Sequence, residues 1–240
     1  MSGRVPATVT IPARFNGPPH TANGGYAAGV LALHLSATAV EVRLSVPPPL
    51  DTPLDVVASG DSVELRSGET VVARARPVDL DLDVPSPVTT ADAVAAARVP
   101  AFDQDFHPFP TCFGCGPLRS PTDAVRHICG RVPGREGLVA CPANTSPTLP
   151  LAGDALAPEI VWAGLDCPSS TACVPQHTDA PWVLGTFTVR IERPVLAGAA
   201  HVVMAWPLGG EGRKRMGASA ILDATGRTCA IASAVWIALR

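Results

Sequence analysis

The sequence predicts an α+β fold built twice: two buried helices, each wrapped by a curved antiparallel sheet. Three observations carry this expectation. Pro accounts for 26 of 240 residues, and a Pro inside a helix removes an N–H and crowds the preceding turn, which excludes a mainly helical chain. Residues 26–36 and 158–165 are apolar almost all round, the pattern of a helix buried on every side. After each of them come four short segments of alternating character separated by turn residues, the pattern of antiparallel strands.

In chain order, residues 5–11 alternate weakly and read as a short strand, and residues 15–25 are loop chemistry rich in Gly and Pro. Asn23 is placed to cap the first helix, because its side-chain oxygen can accept a free helix N–H. That helix carries Tyr26, Val30 and Leu33 on one stripe. Strands follow at 40–46, 54–58, 63–66 and 70–78, with hairpin signals at Gly60-Asp61 and Ser67-Gly68. In the last of them Val71, Ala73 and Ala75 face one way and Val72, Arg74 and Arg76 the other. Asp79, Asp81, Asp83, Pro85 and Pro87 then open an acidic, Pro-rich connector with a short helix near 89–98. Beyond it, 124–131 reads as a strand, 133–158 as loop, and Pro158 suits the first turn of the second helix. Strands at 182–192, 201–206, 216–222 and 227–239 complete the chain. Val42-Arg43-Leu44-Ser45-Val46-Pro47 matches Val189-Arg190-Ile191-Glu192-Arg193-Pro194, which suggests duplication of one unit. The expected organisation is an N-terminal unit at 1–78, a connector at 79–117 and a C-terminal unit at 118–240.

Composition excludes several classes. With 47% hydrophobic and 16% charged residues and a mean hydropathy of +0.25, the chain has ample material for a core and is not a disordered segment. A net charge of −3 and a pI near 6.0 give no polyanion-binding surface, so no nucleic-acid partner is expected. No apolar run reaches the roughly 18 residues of a spanning helix, so no membrane is expected. Residues 1–14 lack a basic segment followed by an apolar core, so a cytoplasmic location is expected. Seven Cys, an odd number in a chain large enough to need no staples, read as reduced thiols. The absence of Gly-x-Ser-x-Gly, Walker and Gly-x-Gly-x-x-Gly patterns disfavours serine hydrolases, nucleotidases and Rossmann dehydrogenases.

Asn23-Gly24-Gly25-Tyr26, an apolar helix and a strand ending in Pro together resemble the start of TesB-like double-hotdog acyl-CoA thioesterases. Glu192-Arg193-Pro194-Val195 with Gly198, and Gly212-Arg213-Lys214 before the last two strands, continue the likeness. It covers most of the chain except the connector and 133–158. The resemblance implies a double hotdog and hydrolysis of acyl-CoA or carrier-bound acyl thioesters. It implies no cofactor, and the expected assembly is a homodimer.

Thioester hydrolysis needs an oxyanion donor, an activated water and room for the acyl chain. Asn23, Gly24 and Gly25 stand where unpaired amides meet the positive end of the helix dipole; they also read as a plain capped turn. Asp166 puts a carboxylate at the end of an apolar helix, where the resembled thioesterases orient or activate water; its other reading is a cap on the turn Cys167-Pro168-Ser169-Ser170. Two positions depart from the family pattern: Leu184 stands at a hydroxyl position, with Thr186 and Thr188 close by, and Trp236 stands at a Gln position. Tyr26, Trp162 and Trp236 are expected beside the acyl chain. Arg213 and Lys214, with Arg215, are expected either to hold CoA phosphates or to form a solvated turn. Glu159 fits the dipole of the second helix.

Cys112-x-x-Cys115 with His107 is half a zinc site. Because Cys129 and Cys141 are no second close pair, no metal is expected, and Cys167, Cys173 and Cys229 read as small apolar fillers. His20 reads as a residue of a pocket mouth and His34 as a core histidine; His177 and His201 have no evident partner. The alternative to a hydrolase is a hotdog that binds an acyl thioester or an apolar small molecule without cleaving it, a reading favoured by Leu184 and Trp236.

Overall fold

The computed structural model describes residues 7–175 and 180–239. The first half runs β1 (Ala7–Thr10), α1 (Gly24–Ala32), β2 (Ala39–Leu44), β3 (Pro53–Ser59), β4 (Ser62–Ser67) and β5 (Thr70–Val78). The middle holds α2 (Thr90–Ala97), β6 (Gly130–Arg131), β7 (Val139–Pro142), β8 (Leu151–Ala152) and β9 (Ala155–Leu156). The last part is α3 (Pro158–Cys173), β10 (Trp182–Ile191), β11 (His201–Glu211), β12 (Lys214–Asp223) and β13 (Thr228–Ala238). His177 and Val5 lie outside the described residues.

Eleven strands form one sheet in the order β1-β3-β4-β5-β2-β10-β13-β12-β11-β7-β6. Every pair in it is antiparallel. The two parts join where β2 meets β10, with Phe187 opposite Val42, Thr188 opposite Glu41 and Val189 opposite Val40. On one side of this seam the order is β3-β4-β5-β2; on the other it is β10-β13-β12-β11, the same connectivity reversed. The hairpin at Gly60 and the one at Gly68 both use a positive φ, which glycine adopts without a Cβ clash.

Both long helices share one core, in which Ala27, Ala28 and Leu31 of α1 meet Ile160, Val161 and Leu165 of α3. Small residues bring them together. A Cβ on Gly25 would lie 2.6 Å from the Asp166 Cβ, and one on Gly29, a turn later, 2.8 Å from the Glu159 Cα. The opposite face of the sheet is covered by α2, where Ala93 and Ala96 pack on Val202, Met204 and Trp206. Val203 and Ala205 point to the main core instead, the alternation a strand imposes. The connector is therefore packed structure.

Four sequence expectations change. Residues 124–131 form a strand only at Gly130–Arg131, because the Arg126 and His127 amides donate to the Phe113 and Gly114 carbonyls at 3.2 and 2.8 Å. Residues 133–158 contain three short strands, of which β7 pairs with the edge of β11. The first helix spans Gly24–Ala32, and Leu33, placed on its buried stripe, is an exposed C-cap. The second helix continues through Pro168 to Cys173, which puts Asp166 in its interior.

Candidate active site

The N-terminus of α1 and the middle of α3 meet at Asp166. Asn23 caps α1: its Oδ1 accepts from the Tyr26 N–H at 2.8 Å. Its Nδ2 donates to Asp166 Oδ2 at 2.9 Å. The Gly25 N–H donates to the same oxygen, also at 2.9 Å. Asp166 Oδ1 is buried and has no hydrogen-bond partner among the described residues. Burial raises the Asp166 pKa to about 7, against the opposing pull of the Gly25 amide and Asn23, so its proton is labile near neutral pH.

A proline in the interior of α3 explains how that helix is held. Pro168 has no N–H to give the carbonyl four residues earlier. The carbonyl is that of Gly164, and His127 Nδ1 lies 2.9 Å from it. His127 Nε2 accepts from the Asn144 N–H at 2.9 Å, which fixes the proton on Nδ1. The ring is buried, and desolvation lowers its pKa to about 4. Two further side chains clamp the helix: Ser219 Oγ donates to the Leu165 carbonyl at 2.7 Å and Ser169 Oγ to that of Asp166 at 2.6 Å. Trp236 Nε1 donates to Ser169 Oγ at 3.0 Å.

Asp166, Asn23 and Gly24 border a cavity of about 830 Å³ whose walls include Leu44, Leu184 and Trp236. Leu184 and Trp236, the two departures from the pattern of the resembled thioesterases, are cross-strand partners. Thr186 and Thr188 are not among the lining residues. The Gly25 amide and the Asn23 cap are both engaged, whereas the Gly24 N–H, the first of α1, donates to no described residue.

The expected acyl-contacting residues divide. Trp236 lines the cavity; Tyr26 and Trp162 do not. Tyr26 stacks on Phe15 with centroids 3.9 Å apart, and Trp162 meets Phe187 edge-on at 5.5 Å. Both are core residues of the helix pair. Arg213 donates to the Ala238 carbonyl and Lys214 opens β12; neither borders the cavity, although Arg215 lies over the ring of Trp182, which does. Glu159 lies in the first turn of α3. His20 is outside the cavity wall, His34 is half-buried at the end of α1, and His201 lies 3.1 Å from the Ala199 carbonyl.

The thiols are arranged differently from the expectation. Cys129 and Cys141 pair with each other at 3.3 Å in the core. Cys112 and Cys115 meet Cys167 of α3, read from sequence as a filler: the three sulfurs lie within 4.8 Å of one another. All seven cysteines are free thiols. Sequence reasoning missed His127 and the Cys167 contact. The Pro168 inside an apolar stretch was the available signal for the first, since its orphaned carbonyl needs a donor.

No protein-family model and no curated protein matches the chain. Solved structures do. A tesB protein of Mycobacterium avium subspecies paratuberculosis superposes with a TM-score of 0.62 at 12% identity, covering 100% of this chain and 95% of that one. A protein of Alicyclobacillus acidocaldarius described as having a hot dog fold gives 0.58 at 14%, covering 100% and 95%. The acyl-CoA thioesterase II TesB2 of Mycobacterium marinum gives 0.60 at 10%, covering 98% and 93%. The chain has the hotdog fold. Among its described residues no helix is long and apolar enough to cross a membrane.

Proposed function

We propose that this hotdog protein is an acyl-thioester hydrolase, acting on acyl-CoA or carrier-bound acyl groups by direct attack of water. One observation carries the reading: a buried carboxylate at the border of a largely apolar cavity, with one oxygen held by the first turn of α1 and the other unpaired among the described residues. The hotdog neighbour from Mycobacterium marinum that is named an acyl-CoA thioesterase supports it.

In this mechanism Asp166 Oδ1 accepts a proton from water as the water oxygen bonds to the thioester carbon. The Gly24 N–H, at the positive end of α1, faces the developing oxyanion. Collapse of the tetrahedral intermediate breaks the C–S bond, and the proton passes from Asp166 to the departing thiolate. The acyl chain lies along Leu184 and Trp236. With apolar residues at those two positions, the base of the design is Asp166, with Asn23 and the Gly25 amide fixing its orientation.

The reading includes a double hotdog with units 1–78 and 118–240 joined by 79–117. The seam supports duplication. Aligning Val42 with Val189 aligns Val40 with Phe187, and the sheet pairs Val42 with Phe187 and Val40 with Val189, so each pair maps onto the other. A homodimer is part of the same proposal.

The second reading is a binding protein, favoured by the apolar Leu184–Trp236 pair. A screen of short, medium and long acyl-CoAs for release of free thiol separates the two. Turnover with at least one chain length is expected; tight binding without release of thiol would leave the binding module as the function.

A further inference from the structure

The connector loop and α3 build a second chemical site beside the carboxylate. We propose that Cys112, Cys115 and Cys167 bind one zinc ion as a three-thiolate site, with His107 donating a hydrogen bond to Cys115 and the fourth coordination position facing the cavity.

The geometry matches the ion. Zinc–sulfur bonds of about 2.3 Å in tetrahedral array separate the sulfurs by about 3.8 Å. Cys112 Sγ and Cys167 Sγ are 3.8 Å apart, and all three sulfurs fall within 4.8 Å of one another. Such a cluster surrounds a point that one cation can occupy with little movement.

The loop is shaped for it. Phe113, between the first two cysteines, is fully buried and meets the rings of Phe15 and Tyr26. The Phe113 N–H is bonded to the Asn16 carbonyl at 2.7 Å. Those contacts set the loop against α3, and Gly114 permits the approach: a Cβ there would stand 2.6 Å from Cys167 Sγ. Asn23 Nδ2 lies 3.8 Å from the Cys112 sulfur. An amide donor turned toward a sulfur favours the thiolate, the form that binds metal.

His107 supports the cluster from outside. Its Nδ1 accepts from the Phe109 N–H at 3.1 Å, which leaves the proton of the neutral ring on Nε2, 3.3 Å from Cys115 Sγ. That proton points at a sulfur, so the ring orients a ligand and is not one itself. Cys112, Cys115, Cys167 and Asp166 all border the cavity. Three protein ligands with one open position is the arrangement of a zinc ion that meets a further ligand, and a thiol or water in the cavity can reach it. The signal escapes sequence analysis because the third ligand lies 52 residues beyond the second, 167 − 115, on a helix in which it passes for a packing residue.

The test uses the full chain, expressed with added zinc and purified under reducing conditions. Metal analysis is expected to give about one zinc per chain. Cobalt substitution is expected to give the near-ultraviolet thiolate charge-transfer band and the intense visible bands of a tetrahedral thiolate site. Cys115→Ser, at a half-exposed position, is expected to lose the metal, and Cys173→Ala and Cys229→Ala to keep it. His107→Ala is expected to keep one zinc per chain with affinity about 10–100-fold weaker. A melting temperature lowered by chelator in the parent protein but not in Cys115→Ser would support the site independently. Three results overturn the proposal: reduced, folded protein that takes up neither zinc nor cobalt; a disulfide between two of the three cysteines in that protein; or loss of metal in His107→Ala as complete as in Cys115→Ser, which would make the histidine a ligand.

Discussion

His127 and Asp166 are both buried against α3, and the fold treats them in opposite ways. On the connector side His127 is satisfied at both nitrogens, donating to the Gly164 carbonyl and accepting from the Asn144 amide. On the α1 side Asp166 has two donors on one oxygen and none on the other. A buried polar group that completes its hydrogen bonds stabilises a fold; one left incomplete costs free energy and calls for a function or a ligand. His127 thus stands as a structural repair for Pro168, and Asp166 as the group proposed for the chemistry.

The largest expected effect separates these roles. Asp166→Asn keeps the shape and the contact to Gly25 but cannot take a proton from water, so turnover of the best acyl-CoA should fall about 10²–10⁴-fold. Its melting temperature should match or exceed that of the parent, because an uncompensated buried carboxylate is gone. Normal turnover in the folded variant would place Asp166 with His127 among the structural groups.

His127→Ala should do the reverse. It removes the donor to Gly164, strands the Asn144 amide and opens a cavity, together about 2–4 kcal/mol of stability by denaturant unfolding. Turnover per folded molecule should hold within a few-fold at low temperature. A loss of activity without loss of stability would put His127 in the chemistry.

Gly25→Ala tests the contact between the two helices. Its Cβ would meet the Asp166 Cβ at 2.6 Å and the Trp162 carbonyl at 2.8 Å, both on α3. Overpacking of this kind costs about 1–3 kcal/mol, and the same displacement should lower turnover by moving Asp166 off the α1 amide. An equally stable and active variant would show that the close approach of α1 and α3 is not required.

A further effect is in the pH dependence of stability. The folded His127 pKa of about 4 lies below the usual 6.5, so the unfolded chain takes the proton first. The stability that neutral His127 provides is complete above pH ~6.5 and is lost as pH falls toward ~4, by at most about 1.4 kcal/mol per pH unit. Urea melts between these limits should show a steeper loss in the parent than in His127→Leu. Parallel curves would show that the ring is not held neutral.

Much of this architecture was legible. Turn residues such as Gly60 and Gly68 and the alternation of 73–76 marked the strands, because a strand with one buried face repeats every second residue; Val72, expected on the face of Arg74 and Arg76, is instead buried with Ala73 and Ala75, because a bulge at this point breaks the alternation. Asn23 was legible as a cap and Asp166 as a carboxylate out of place in an apolar helix. The length of α3 was not, since Pro168 argues for a stop and only the distant His127 supplies the missing bond. Tyr26 and Trp162 were placed beside the substrate because large aromatics suit a pocket, but Phe15 and Phe187 use those rings as core. Cys167 carried no sequence mark of its contact, since that depends on how the connector folds back over α3.

The central claim is that Asp166 delivers water to the thioester and does not attack it. A single turnover in heavy-oxygen water, with enzyme in excess over acyl-CoA, tests it directly. The account predicts the heavy oxygen in the released carboxylic acid from the first turnover and none in the peptide containing Asp166. Label in that peptide, with an unlabelled first product, would contradict it.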